Sequence, residues 1–142
     1  MLVISLNLPQ IGIIAKGDMD LFWEILDERL QLCYEALMVR HQLLLGTKSD
    51  VSPIHWQHGA IARLEKGEKI DELLKNGYST LSLGYVGMHE LCQAMLGKSN
   101  TTEEGKQFSL KVLTHLRNAC DKWKKETGLG FGLYGTPKIL GL

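Results

Sequence analysis

Three kinds of residue in this 142-residue sequence could carry chemistry. His55 and His58, in the spacing His-x-x-His, would put two imidazoles on one side of a turn, which is the beginning of a zinc site. Zinc needs at least a third protein ligand, and neither a Cys-x-x-Cys pair nor a clear further ligand accompanies them, so we expect loop histidines that pack or hydrogen-bond and no bound metal. His41, His89 and His115 stand singly in helical stretches and carry the same expectation. A catalytic cysteine needs a base or a radical source beside it and some exposure, whereas Cys33, Cys92 and Cys120 each fall in an apolar helical register and are expected to be buried. Asp27/Glu28 and Glu103/Glu104 read as helix-surface or capping carboxylates, so no acid/base pair and no catalytic residue is nominated. Gly130-Phe131-Gly132-Leu133-Tyr134-Gly135 matches G-x-G-x-x-G, but a dinucleotide site requires that motif to follow a strand and open a helix. Here it follows a helix and lies within a strand, where glycines permit close backbone approach.

The elements that would position these residues follow from the periodicity. Leu2 to Leu8 is a short β-branched apolar run stopped by Pro9, expected to be a strand over residues 2–8. It opens the chain abruptly, as though upstream sequence were missing. Asp18 can cap a long amphipathic helix in which Leu21, Phe22, Ile25, Leu26, Leu30, Cys33, Leu37 and Leu44 recur at threes and fours until Gly46. Pro53 to Ala62 reads as irregular with one helical turn, and Ile70 to Lys75 as a short helix ended by Asn76-Gly77. A second strand is expected over 78–86 and a helix from Met88 to Leu96 closed by Gly97. Thr101 with Glu104 makes a capping box for a second long helix that stops at Gly128, and a third strand follows over 129–134. Strands separated by helices imply parallel pairing through crossovers, an α/β fold with two long helices covering about three strands.

Composition bounds the function class. Sixteen basic against sixteen acidic residues give a net charge of zero, which offers no field for nucleic acid or an anionic membrane. Lys122, Lys124 and Lys125 are flanked by Asp121 and Glu126, a solvated helix face. With 44% hydrophobic and 23% charged residues the chain reads as one globular domain over 1–142. The N-terminus lacks a basic signal region, and no apolar run approaches the roughly 20 residues that span a bilayer. Three widely spaced cysteines argue against a disulfide framework and fit a reducing cytoplasm.

Four stretches, taken in order, resemble the catalytic subunit of the anaerobic, glycyl-radical ribonucleoside-triphosphate reductases. They are Val3-Ile4-Ser5-Leu6-Asn7-Leu8-Pro9-Gln10-Ile11, Phe22-Trp23-Glu24-Ile25-Leu26-Asp27-Glu28-Arg29-Leu30, Lys75-Asn76-Gly77 leading to Ser82-Leu83-Gly84-Tyr85-Val86-Gly87, and Gly130 through Thr136-Pro137. The resemblance implies a segment of a ten-stranded parallel β/α barrel in which a glycyl radical generates a thiyl radical on a loop cysteine. It also implies that the thiyl cysteine lies upstream of Met1, and that the glycyl-radical segment and a structural zinc site lie downstream of Leu142. This chain would then hold no cofactor and would not turn over alone, whether it is a cut piece or the product of a truncated or split gene. The parent activity it implies is reduction of ribonucleoside triphosphates to deoxyribonucleotides, with a nucleotide substrate and a separate activating enzyme that carries an iron–sulfur cluster and uses S-adenosylmethionine. Tyr134-Gly135-Thr136-Pro137 resembles the family's Ser-Thr-Pro turn leading into a helix. Gly135 and Thr136 are thereby candidates for holding substrate phosphates, with a plain strand-terminating turn as the alternative. The sequence departs there, with Gly135 for the usual serine and Lys138 to Leu142 for the acidic helix start. A different class of function is a non-catalytic interaction module that self-associates, as a homo-oligomer, or pairs with another reductase segment through exposed sheet edges.

Overall fold

The structure, a computed structural model, describes residues 2–136. Three strands, β1 (Leu2–Asn7), β2 (Thr80–Val86) and β3 (Gly130–Gly135), form one sheet in the order β1-β2-β3. Both pairings are parallel, with Ile4 opposite Leu83 and Leu83 opposite Leu133. Parallel neighbours cannot be joined by a tight turn. The first crossover contains α1 (Leu8–Ala15) and α2 (Met19–Leu44), and the second contains α4 (Met88–Leu96) and α5 (Glu103–Thr127). Each crossover is thus a short helix followed by a long one. This is the α/β arrangement expected, three parallel strands covered by two long helices.

The helical layer packs on one face of the sheet. Leu6, Leu81, Leu83 and Phe131 are buried in one cluster with Phe22, Leu26 and Leu37 of α2 and Phe108, Val112 and Leu116 of α5. Aromatic rings tie the layers together: Phe22 lies 5.4 Å from Phe108, and Trp123 lies 5.3 Å from Tyr34 and 5.6 Å from Phe131. Between α2 and β2 the chain makes an excursion holding α3 (Pro53–Trp56) and two 3-10 turns, Ser49–Val51 and Asp71–Leu74. Ser49 is fully buried there, and its hydroxyl donates to the Glu65 carbonyl at 2.7 Å.

Several local expectations are corrected. β1 ends at Asn7, not Leu8, and Pro9 does more than stop a strand: it sits in the first turn of α1. Proline suits that position because its missing N–H would have had no helical partner, and the Asn7 side chain caps the turn by accepting from the Gln10 amide at 3.3 Å. β2 begins at Thr80, because Tyr78 is held in a turn, its amide bonded to the Lys75 carbonyl and its hydroxyl to the Ile61 carbonyl. β3 runs one residue later, Gly130–Gly135. The cap of α5 is Thr102, not Thr101. The Thr102 hydroxyl oxygen accepts from the Gly105 amide at 3.2 Å, while Thr101 turns its hydroxyl to Ser99 and Glu104 pairs with Lys98 at 2.6 Å. Of the remaining limits, Asp18 caps α2 through the Leu21 amide and α4 and α5 stop at Gly97 and Gly128 as expected. By contrast, α2 ends at Leu44 with Leu45 as its cap and not at Gly46, and the short helix expected over Ile70 to Lys75 is the 3-10 turn Asp71–Leu74.

Cys33, Cys92 and Cys120 are buried free thiols on α2, α4 and α5, as their register requires. Burial raises the thiol pKa of Cys33 against the lowering influence of Arg29. Burial together with Asp121 pushes Cys120 up to about 11 against Lys124.

Two outcomes follow. Thr102→Ala should cost about 1 kcal/mol in urea unfolding, the usual loss of a helix cap, and Thr101→Ala clearly less; equal losses would mean that the capping geometry is wrong. Native chain should leave Ellman's reagent almost unreacted at pH 8 and yield three thiols once unfolded. Above about pH 8.5 the unfolded chain releases the Cys120 proton while the folded chain keeps it. That contribution to stability is therefore complete below this pH and declines as pH rises towards the folded value.

Candidate functional site

Side chains alternate across a strand, so the register divides the sheet into two unlike faces. The residues facing the helices are Leu2, Ile4 and Leu6, Leu81, Leu83 and Tyr85, and Phe131 and Leu133. The opposite face carries Val3, Ser5 and Asn7 on β1, Thr80, Ser82, Gly84 and Val86 on β2, and Gly130, Gly132 and Tyr134 on β3. Apolar parallel strands are ordinarily covered on both sides, and the run of Val3, Ile4, Leu6, Leu81 and Leu83 invites that expectation. Here one face is packed by helices and the other is small and largely polar.

Parallel pairing also brings the carboxyl ends of all three strands to one rim, where α/β sheets generally bind ligands. Asn7, Val86-Gly87 and Gly135-Thr136 meet there. The rim residues Ser5 and Thr136 are 131 positions apart, yet Ser5 Oγ lies 3.1 Å from Thr136 Oγ1. They meet across Gly84. A Cβ built on Gly84 would sit 2.8 Å from each of those two oxygens and 3.0 Å from Tyr134 Cε1. Real Cβ atoms do not approach so closely, and only glycine leaves the two hydroxyls room to bond. The Thr136 amide is already committed, donating to the Tyr85 carbonyl at 2.9 Å and so extending the β2–β3 ladder by one residue. What Thr136 offers outward is therefore its hydroxyl.

Gly135, the other candidate, lies on the helix side of β3, where an added Cβ would come 3.1 Å from the Tyr85 hydroxyl oxygen. Successive strand amides point to opposite edges, so with the Thr136 amide directed to β2 the Gly135 amide is directed to the open edge. The turn beyond Thr136, with Pro137 and the start of the expected helix at Lys138 to Leu142, lies outside the described residues.

The remaining candidates sit elsewhere. His55 Nδ1 is 2.6 Å from the Ser52 hydroxyl, and His89 Nδ1 is 3.2 Å from Asn100 Oδ1. Among the described residues no three of His, Cys, Asp and Glu converge as a metal site requires. The three cysteines lie in the helical layer, away from the polar sheet face. The glycines of 130–135 do serve close approach: Gly130 stands where an added Cβ would be 3.2 Å from Gly77 Cα and from the Ser79 carbonyl oxygen.

Two groupings escaped sequence reading. One is the Ser5–Gly84–Thr136 cluster, for which only the strand alternation was a signal. The other is a pair between the long helices, His115 Nε2 and Asp27 Oδ1 at 2.5 Å, with Trp23 5.1 Å from the imidazole. Both partners occupy surface positions of separate helices 88 residues apart, and the pair clasps α2 to α5 in the helical layer.

Comparison with known proteins agrees with this architecture. Residues 1–138 match the family described as anaerobic ribonucleoside-triphosphate reductase. The chain is 46% identical over 138 residues to the anaerobic ribonucleoside-triphosphate reductases of Salmonella typhimurium and of Escherichia coli. In each comparison 95% of this chain is covered and 19% of the relative, so the chain spans about a fifth of their length. Among solved structures it is similar to the anaerobic ribonucleotide reductase of Thermotoga maritima with dATP bound in the specificity site, at 25% identity and a TM-score of 0.64, covering 92% of this chain and 21% of that one. A chain that matches over nearly its whole length, with three parallel strands that form part of that barrel, belongs to the anaerobic ribonucleoside-triphosphate reductase family.

Proposed function

We propose that this chain contributes one wall of a reductase barrel that converts ribonucleoside triphosphates to deoxyribonucleotides, and that Thr136, with Gly135 beside it, contacts the substrate phosphates. The observation that carries this reading is the hydroxyl of Thr136, held at the carboxyl rim of three parallel strands on their polar face. A hydroxyl there can donate to a phosphate oxygen, and the Gly135 amide, directed at the outer edge of β3, is a separate donor beside it.

On this reading the chain, a single domain working in the cytoplasm, holds the substrate and does not generate the radical. The family's glycyl radical and zinc then belong to parts of the reductase other than this chain; among the described residues no set of metal ligands converges. The activating enzyme is a partner of the complete reductase, and the isolated chain forms no deoxyribonucleotide.

Titration of the 142-residue chain with a ribonucleoside triphosphate, followed by NMR, tests the phosphate contact. The expected result is a saturable shift of the Thr136 resonances that inorganic tripolyphosphate reproduces and an unphosphorylated nucleoside does not. A nucleoside as effective as its triphosphate, or silence at Thr136, would remove the reading.

A second reading, self-association, is favoured by the open outer edges of β1 and β3 and by Leu32, Val39 and Leu43, exposed along α2. Unpaired edges and apolar stripes seek cover. Sedimentation equilibrium at micromolar concentration should then show a dimer or larger species; a clean monomer would exclude it.

A further inference from the structure

We infer that Ser5 is a positioning residue for the phosphate contact at Thr136, with Gly84 as the position that lets it act. This deepens the reading proposed above and rests on it. The two hydroxyl oxygens are 3.1 Å apart, a bonding distance, and either can donate. Each hydroxyl has one proton to give. In a mutual bond one proton is used between the pair and the other is left to point outward. An anion seated against Thr136 selects the direction in which Ser5 donates, because only then does Thr136 keep its own proton for the anion.

Ser5 then acts in two ways. It restricts the Thr136 side chain, which would otherwise sample its staggered rotamers, to the one directed over Gly84. It also polarises the Thr136 O–H, since a hydroxyl that accepts a hydrogen bond is a better donor. The Thr136 amide cannot substitute, because it is bonded to the Tyr85 carbonyl. Three strands cooperate in this arrangement. β1 supplies the donor, β3 the contact, and β2 a bare position between them, where a Cβ would stand 2.8 Å from both oxygens.

The test uses the 142-residue chain, inorganic tripolyphosphate as the probe, and NMR titration for the dissociation constant. Thr136→Ala examines the underlying reading and should weaken binding more than about tenfold, the loss of a hydrogen bond to a charged group. Ser5→Ala should weaken it roughly three- to tenfold, the loss of one neutral hydrogen bond, with the urea midpoint unchanged. Ser5→Thr, which keeps the hydroxyl on a strand, should restore the wild-type constant. A purely structural role for Ser5 would not show that rescue. If Thr136→Ala weakens binding while Ser5→Ala binds like wild type, or if Ser5→Thr is as weak as Ser5→Ala, the positioning role is overturned and the phosphate contact stands. If Thr136→Ala binds like wild type, or the wild-type chain binds no tripolyphosphate, the phosphate contact falls and the role of Ser5 with it.

Discussion

Parallel pairing of β2 with both of its neighbours is the constraint on which the rest of the molecule depends. Because a parallel ladder cannot be closed by a hairpin, each pairing demands a long return path. The chain meets that demand twice in the same way, with a short helix followed by a long one. The consequence for chemistry is positional. All three strands end on one rim, so residues 131 apart in sequence come within hydrogen-bond distance. A shift of one residue in the register of β1 or β3 would turn every side chain to the other face and dissolve that cluster.

The two faces of the sheet divide labour. Toward the helices, leucines and aromatic rings supply the apolar burial that holds the layers together. Away from them, the face is built of hydroxyls and glycines; its centre, Ser82 and Gly84, is buried among neighbouring strand residues, and its polar groups reach the rim at Ser5 and Thr136. Cys33, Cys92 and Cys120 and the His115–Asp27 pair all lie on the helical side, where a thiol is protected and a side-chain hydrogen bond ties two helices together. The polar side keeps Ser5, Ser82, Gly84, Tyr134 and Thr136. The segregation of reactive-looking residues from the face that could receive a ligand is the main physical argument against reading any of those cysteines as catalytic.

Relation to the reductase family puts this asymmetry in context. In a closed barrel the helices form the outside and the strands line the interior, so the small polar face of β1–β2–β3 corresponds to the lining. The chain spans about a fifth of the length of the relatives it matches, and the open edges of β1 and β3 are where further strands of such a barrel would pair. The same edges explain why self-association is a coherent alternative fate for the segment: among the described residues no further strand pairs with them, and a strand edge accepts a strand from any source.

The sequence by itself determined the type of the three strands, of the two long helices and of α4, while α1, Leu8–Ala15, was not legible in it. The 3.6-residue recurrence from Leu21 to Leu44 and from Phe108 to Trp123 points to long amphipathic helices, and the β-branched and glycine-punctuated runs at 2–8, 78–86 and 129–134 to strands, within two residues of their observed limits. Alternation of strand and helix then implied parallel pairing. Those inferences succeed because local periodicity is a property of neighbouring residues. Reading failed where two local signals competed. Pro9 stops a strand and starts a helix equally well, and Thr101 and Thr102 are both able to cap. Tertiary structure alone decided which side chains meet. Ser5 and Gly84 belong to two strands and Thr136 follows the third, Asp27 and His115 belong to two helices, and no spacing along the chain encodes those distances. Register and crossover geometry set them, through hydrogen bonds and burial between segments that the sequence keeps far apart.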